Sequence, residues 1–294
     1  FLHFIILIWG FTAIIGLFID LMPVEIVFYR TGLAALLLVL VIYSSRLSFG
    51  LDSRASLLKA IIVGLLMSVH WVLFFLSAKI STASVCLVGM ATTSFWTSII
   101  EPMFFDKKIQ GFEIFLSLIA VLGILIVFNM EIDYFKGLLF AMIAAILAAL
   151  FSIINADLTK KNNHFVITFY EMITASALAG IMMLFYFYFI SYKSFALPGT
   201  KNWFWLFILS SICTVFAMSY SIKLMKRLSA FFVNLTVNLE PIYGIILALL
   251  IFGEQEQMSV GFYIGTGLIL LSVLIYPLLN KKYKRKPLET DIFR

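Results

Sequence analysis

Runs of about twenty apolar residues follow one another along almost the whole chain, parted by short breaks that carry charge, proline or glycine. A hydrocarbon core of roughly 30 Å is crossed by about twenty helical residues, so each run is long enough to span a bilayer. The runs predict ten spans, at residues 1–19, 24–44, 57–78, 81–105, 109–128, 135–155, 165–191, 202–222, 229–252 and 260–280. Most breaks have turn chemistry: Asp20-Leu21-Met22-Pro23, Asp106-Lys107-Lys108, Lys160-Lys161-Asn162-Asn163 and Pro198-Gly199. Small residues recur at helical spacing, with Ala141, Ala145 and Ala149 in the sixth span and Gly261-x-x-x-Gly265 opening the tenth. That spacing predicts close helix–helix approach.

The two halves echo each other. Phe28-Tyr29-Arg30 in the second span pairs with Phe169-Tyr170-Glu171 in the seventh, 141 residues on. Ser81 pairs with Ser229, and Phe105-Asp106 with Gly253-Glu254, both at an offset of 148. That alignment sets Thr93 opposite Pro241, so Glu101-Pro102 and Glu240-Pro241 are not counterparts. The expected layout is a first repeat over 1–130, a second over 131–280, and a basic tail over 281–294. Five spans per half is odd, so the second copy must sit upside down. The fold class is therefore all-α polytopic membrane protein, with ten transmembrane helices as two inverted five-helix repeats. Such repeats are a transporter signature, with the substrate site near the midplane between halves.

Composition sharpens this picture: 63% of residues are hydrophobic and 12% charged, against roughly 25% charged in a soluble domain. Lysine and arginine set the orientation. With the N-terminus inside, the inner loops hold Arg46, Arg54, Lys59, Lys107, Lys108, Lys160, Lys161, Lys223, Lys226 and Arg227. The tail adds Lys281, Lys282, Lys284, Arg285, Lys286 and Arg294, for sixteen, against Lys79, Lys136, Lys193 and Lys201, four, outside. Both termini are expected in the cytoplasm. The net charge of +6 collects where an anionic leaflet would hold it, so no nucleic-acid partner is expected. Cys86 and Cys213 each lie inside an apolar run, which supports neither a disulfide framework nor a zinc site. The chain opens on Phe1, so a short N-terminal piece is expected to be missing, and 1–19 reads as a span, not a signal peptide.

Charged groups within spans cost at least ~2.5–3.5 kcal/mol each near the bilayer centre. Arg30, Glu101, Glu171 and Glu240 are such groups. Glu240 is the deepest acid and immediately precedes Pro241, which frees a carbonyl near Val237. With Asn234 and Asn238 it suggests a polar, bent segment facing a wet cavity, able to take a proton or a substrate amine; pairing with loosened backbone would serve equally. Arg30 could grip an anionic group, pair with an acid, or snorkel outward. Glu171 and Glu101 lie near the inner interface, where a structural or solvated role is the plainer reading. His70 is either packing or a titratable cavity group, with Trp71 as an apolar wall. Trp9, Trp96, Tyr220 and Tyr243 suit an aromatic cavity lining, although an aromatic content of 16% assigns most such residues to packing or interface belts.

At the ninth span the motifs become specific. Asn238-Leu239-Glu240-Pro241-Ile242-Tyr243-Gly244, followed by Leu249-Leu250-Ile251-Phe252-Gly253-Glu254, resembles the "LEP…GE" segment of the EamA family in the drug/metabolite transporter superfamily. Trp9-Gly10 resembles that family's first-helix pattern, while Thr93 departs from its proline position in the first repeat. The resemblance implies ten helices around a central cavity lined chiefly by spans three, four, eight and nine. It further implies transport of small metabolites, amino acids or drug-like compounds, often outward, and an integral protein of a bacterial cytoplasmic (inner) membrane. The expected partners are a small-molecule substrate, the bilayer and, as a candidate coupling ion, the proton. The candidate substrate-binding or coupling residues are Glu240, Asn238, Asn234, Arg30, His70, Trp71, Trp9, Tyr220, Tyr243 and Trp96.

No Walker-type GxxxxGK[ST] occurs, so energy would come from an ion gradient or the solute itself. A membrane enzyme acting on lipid would need a catalytic constellation, but His3, His70 and His164 fall in different regions. No enzyme activity, metal or cofactor is expected. A structural or sensor membrane protein would leave the buried ionisable residues unexplained.

Overall fold

A computed structural model of the chain describes residues 1–105, 111–130, 132–191, 197–253 and 258–283. The expected Asp106-Lys107-Lys108 turn, Lys193, Glu254 of the "GE" pair and tail residues 284–294 lie outside the described residues, as do the side chains of Lys281 and Lys282. The described residues form helices and no strand. They run α1 (Leu2–Phe18), α2 (Pro23–Ser44), α3 (Arg54–Ile80), α4 (Ala83–Phe104), α5 (Gly111–Met130), α6 (Phe135–Leu158), α7 (His164–Tyr186), α8 (Thr200–Leu224), α9 (Ala230–Phe252) and α10 (Val260–Tyr283). Each falls within three residues of a predicted apolar run, apart from the end of α7, whose last turn continues as a π-helical segment, Phe187–Ser191.

Seven segments, α2, α3, α4, α6, α7 with its extension, α8 and α9, are long and apolar enough to cross a membrane. Leu2–Phe18 and the Val260–Ser272 part of α10 are shorter apolar helices. The outer faces fit lipid: Leu36 is 66% exposed, Leu184 67% and Leu250 77%. No water-facing surface would present such a band. The chain is an integral membrane protein.

Capping chemistry fixes where helices start. Pro23 opens α2, and Glu25 reaches back to the Met22 backbone N–H at 2.8 Å. Ser53, Thr82, Asn163 and Ser229 cap α3, α4, α7 and α9 through their side-chain oxygens. α4 therefore begins from Thr82, one residue past the Ser81 of the expected pairing.

The core is built by α3 against α6, α2 against α7, and α5 against α10. Ala141, Ala145 and Ala149 are fully buried, as their spacing predicted. A β-carbon on Gly123 would come within 2.5 Å of the Gly265 carbonyl oxygen, so α5 and α10 touch backbone to backbone. At one end the α2–α3 loop is tied to the α6–α7 turn. Asn162 accepts from the Asp52 N–H at 2.8 Å and donates to the Asp52 carboxylate at 3.0 Å, while Lys59 pairs with Asp157 at 2.6 Å.

Candidate functional site

Three helices are interrupted, and the interruptions converge on one cavity. α9 breaks at Asn238-Leu239 and restarts at Glu240, with Pro241 at the first helical positions. Proline has no N–H to lose there, so the sequence favours a fresh helix start at this point. α4 breaks at Ala91-Thr92 without any proline. Instead Thr92 Oγ1 donates to the Gly89 carbonyl at 2.9 Å and Thr93 Oγ1 to the Met90 carbonyl at 2.7 Å. Such bonds let hydroxyls compete with the helical ladder. The bounds correspond: Ala83 with Ala230, Met90 with Val237 and Thr93 with Glu240, each 147 residues apart. By these bounds Ser94 stands opposite Pro241, next to the Thr93 of the sequence pairing. The third interruption, in α8, is a π-helical segment at Leu209–Phe216. π-helical stretches inside α-helices often mark a functional site.

The two broken helices are stitched together at their breaks. Asn238 Nδ2 donates to Ser94 Oγ at 2.6 Å, and Asn234 Nδ2 to Thr97 Oγ1 at 2.9 Å. Ser152 of α6 completes the knot by donating to Asn234 Oδ1 at 3.2 Å.

Beside this knot lies a cavity of about 740 Å³ of atom-free space, counting its open end. Of the ten expected site residues it brings together six: Trp9, Arg30, His70, Trp71, Asn234 and Glu240. Arg30 is 1% exposed, which rules out snorkelling to the surface. Its Nε donates to Thr214 Oγ1 at 2.8 Å, within the π segment, and its guanidinium lies 4.4 Å over the Trp71 ring. Nη1 has no protein partner. Trp9 Nε1 donates to the Cys213 carbonyl at 3.1 Å, also in the π segment. His70 faces the Ala144 carbonyl through Nδ1 at 2.8 Å, which makes that nitrogen the donor and leaves Nε2 as the free ring nitrogen. Glu240, 8% exposed, occupies the first turn of the second half of α9, where the helix dipole presents its positive end. Arg30 and Glu240 are not ion-paired with each other. The cavity thus offers a guanidinium donor and a carboxyl between aromatic walls, a combination able to orient a small polar molecule.

Four expected residues do not line it. Asn238 gives its Nδ2 to Ser94, and Tyr220 sits in an aromatic group with Phe1, Phe165 and Phe216. Tyr243 packs beside Gly10, and Trp96 lies edge-on to Phe95. Glu101 and Glu171 are also not at a wet interface: both are buried. Glu101 accepts from the Phe231 N–H at 2.6 Å and so caps α9 from α4. Conversely, Thr12, Thr93, Ser152 and the π segment with Thr214 belong to the site or its support and were not foreseen. A hydroxyl inside an apolar run was the only signal they gave.

The sequence model of the EamA-like transporter family matches residues 135–276. A solved crystal structure of a protein shares the architecture, with a TM-score of 0.71 and 14% identity over 96% of this chain and 96% of that one. At that identity the likeness concerns the fold alone. No curated protein matches the sequence.

Proposed function

From the match of residues 135–276 to the EamA-like transporter family, we propose that the chain is a secondary-active or facilitative carrier of small metabolites, amino acids or drug-like compounds. Residues 1–130 and 131–280 act as two inverted five-helix repeats, and alternating access comes from one repeat rocking against the other around the cavity. The working direction is outward, across a bacterial cytoplasmic membrane, with both termini inside.

The observation that carries this reading is one cavity receiving both Arg30 and Glu240 at the breaks of α8 and α9. Discontinuous helices whose half-helix ends face a midplane cavity are how transporters bind polar cargo inside a bilayer. Arg30 holds the anionic part of the solute, Glu240 its cationic part or a coupling proton, and Trp9 and Trp71 its flat or apolar body. His70 and Asn234 set the remaining polar contacts. Asn238, Tyr220, Tyr243 and Trp96 stand behind this surface in the proposal, holding its helices.

The test is flux of a metabolite panel through purified protein in liposomes, with and without a pH gradient. Glu240→Gln should cut transport at least tenfold, about 1.4 kcal/mol of lost coupling or binding, while thermal unfolding stays close to the wild type. Unchanged flux in that variant removes Glu240 from the mechanism. If no solute moves and none raises the unfolding temperature, the carrier reading fails as a whole.

A further inference from the structure

Away from the cavity, toward the end of the molecule that carries the α6–α7 turn, a second set of polar side chains is shut inside the helix bundle. His164, Thr168 and Glu171 stand at positions four and three residues apart on α7 and so share one face. Asn155 and Thr159 do the same at the end of α6. Glu171, Asn155, Thr159 and Thr168 are fully buried. Ser219 of α8 donates to Thr168 Oγ1 at 3.2 Å. Yet both Glu171 carboxyl oxygens, both amide atoms of Asn155, Thr159 Oγ1 and His164 Nε2 have no hydrogen-bond partner in the protein. Asn155 approaches the Glu171 carboxyl without completing a bond of good geometry. Buried polar groups are paired in the large majority of cases, so a set of unpaired ones on facing ends of two helices asks for a mobile occupant such as water and protons.

Among the described residues, none gives Glu171 a fixed counter-charge. The ionisable groups toward this end include Tyr43 on α2, Asp52 in the α2–α3 loop, Arg54 and Lys59 on α3, Asp157 on α6, Lys160 and Lys161 in the α6–α7 turn, Tyr170 on α7, Tyr220 and Lys223 on α8, and Lys226 just beyond it. Lys59 is paired with Asp157 at 2.6 Å, Lys223 lies 5.1 Å over the Tyr220 ring, and Tyr220 lies 5.6 Å from the His164 ring. None hydrogen-bonds to the carboxyl. An ionised, unpaired carboxylate in such a place is held against a large desolvation cost, and binding one proton cancels that charge.

We propose that Glu171 is a proton-binding site, reached from the α6–α7 end along His164, Thr159 and Asn155 and linked toward the solute cavity by Ser152, one turn back along α6 from Asn155. A proton from water at that end is taken up by the carboxylate and returned by the same route, with no other bond formed or broken. Nothing in the solute-carrier reading requires this site, and the two stand or fall separately.

The test is infrared difference spectroscopy on the full chain in liposomes, stepped between about pH 5 and about pH 9, without any solute. The wild type should show a protonated-carboxyl band that falls as pH rises. Glu171→Gln should abolish that component, and Glu240→Gln should leave it in place. Glu171→Asp serves where the glutamine variant does not fold, and should move the midpoint of the change. On transfer to heavy water, Asn155→Leu should slow deuteration of the band severalfold relative to the wild type. A band unaffected by Glu171→Gln, or one that ignores pH throughout the range, overturns the proposal. Deuteration at the wild-type rate in Asn155→Leu overturns the route.

Discussion

The side chains that matter most are those whose polar atoms cannot reach water. Arg30 keeps its place through one hydrogen bond to Thr214 Oγ1 and a stack on Trp71, leaving Nη1 for whatever enters the cavity. Removing a partner from a buried charged donor exposes the full desolvation cost of that donor. Thr214→Val should therefore lower stability by about 1–3 kcal/mol, seen as a drop in unfolding temperature in detergent, even though the valine is nearly the same size. A neutral outcome would mean that Nε finds solvent and that the guanidinium is less confined than its surroundings imply. Glu101 and Glu240 show how alike two buried acids look in sequence and how differently they are used. Glu101 is occupied with the Phe231 N–H, whereas Glu240 faces open space.

Among the helices, the breaks in α4, α8 and α9 decide where polar backbone and side chains can face a cavity. The break in α9 is legible in Glu240-Pro241, because proline loosens the ladder before it and favours a restart. The break in α4 has no proline and depends on Thr92 and Thr93 bonding back to Gly89 and Met90. Hydroxyls do this in intact helices too, so the residue types alone do not predict it. Helix contact is equally specific. A β-carbon on Gly64 of α3 would stand 2.6 Å from the Glu171 carbonyl oxygen and 2.7 Å from Thr174 Cβ. The nearest of these atoms is backbone and cannot swing aside. Gly64→Val should part α3 from α7 and cost about 1–3 kcal/mol, read as a lower unfolding temperature. Stability equal to the wild type would show that the two helices are not held at this spacing.

For the molecule as a whole, the sixteen lysines and arginines assigned to one side against four on the other predict its orientation in the membrane. Tags on the two ends should report the same, cytoplasmic, face in a protease-protection or reporter-fusion assay. Opposite faces would dismantle the two-repeat arrangement and the carrier reading built on it. Length and apolarity announced the helices themselves, since a bilayer of fixed thickness and a helix of fixed rise leave little choice of element. The same reasoning found the deep acid of α9 and the arginine of α2, because charge in an apolar run is conspicuous. It could not say which polar groups meet. That depends on how each helix is rotated about its axis and on a π segment in α8 that turns Thr214 toward Arg30. These come from packing between segments far apart in the chain. Packing set the six expected residues around one space, sent Tyr220, Tyr243 and Trp96 elsewhere, and enclosed Glu171 without a counter-charge.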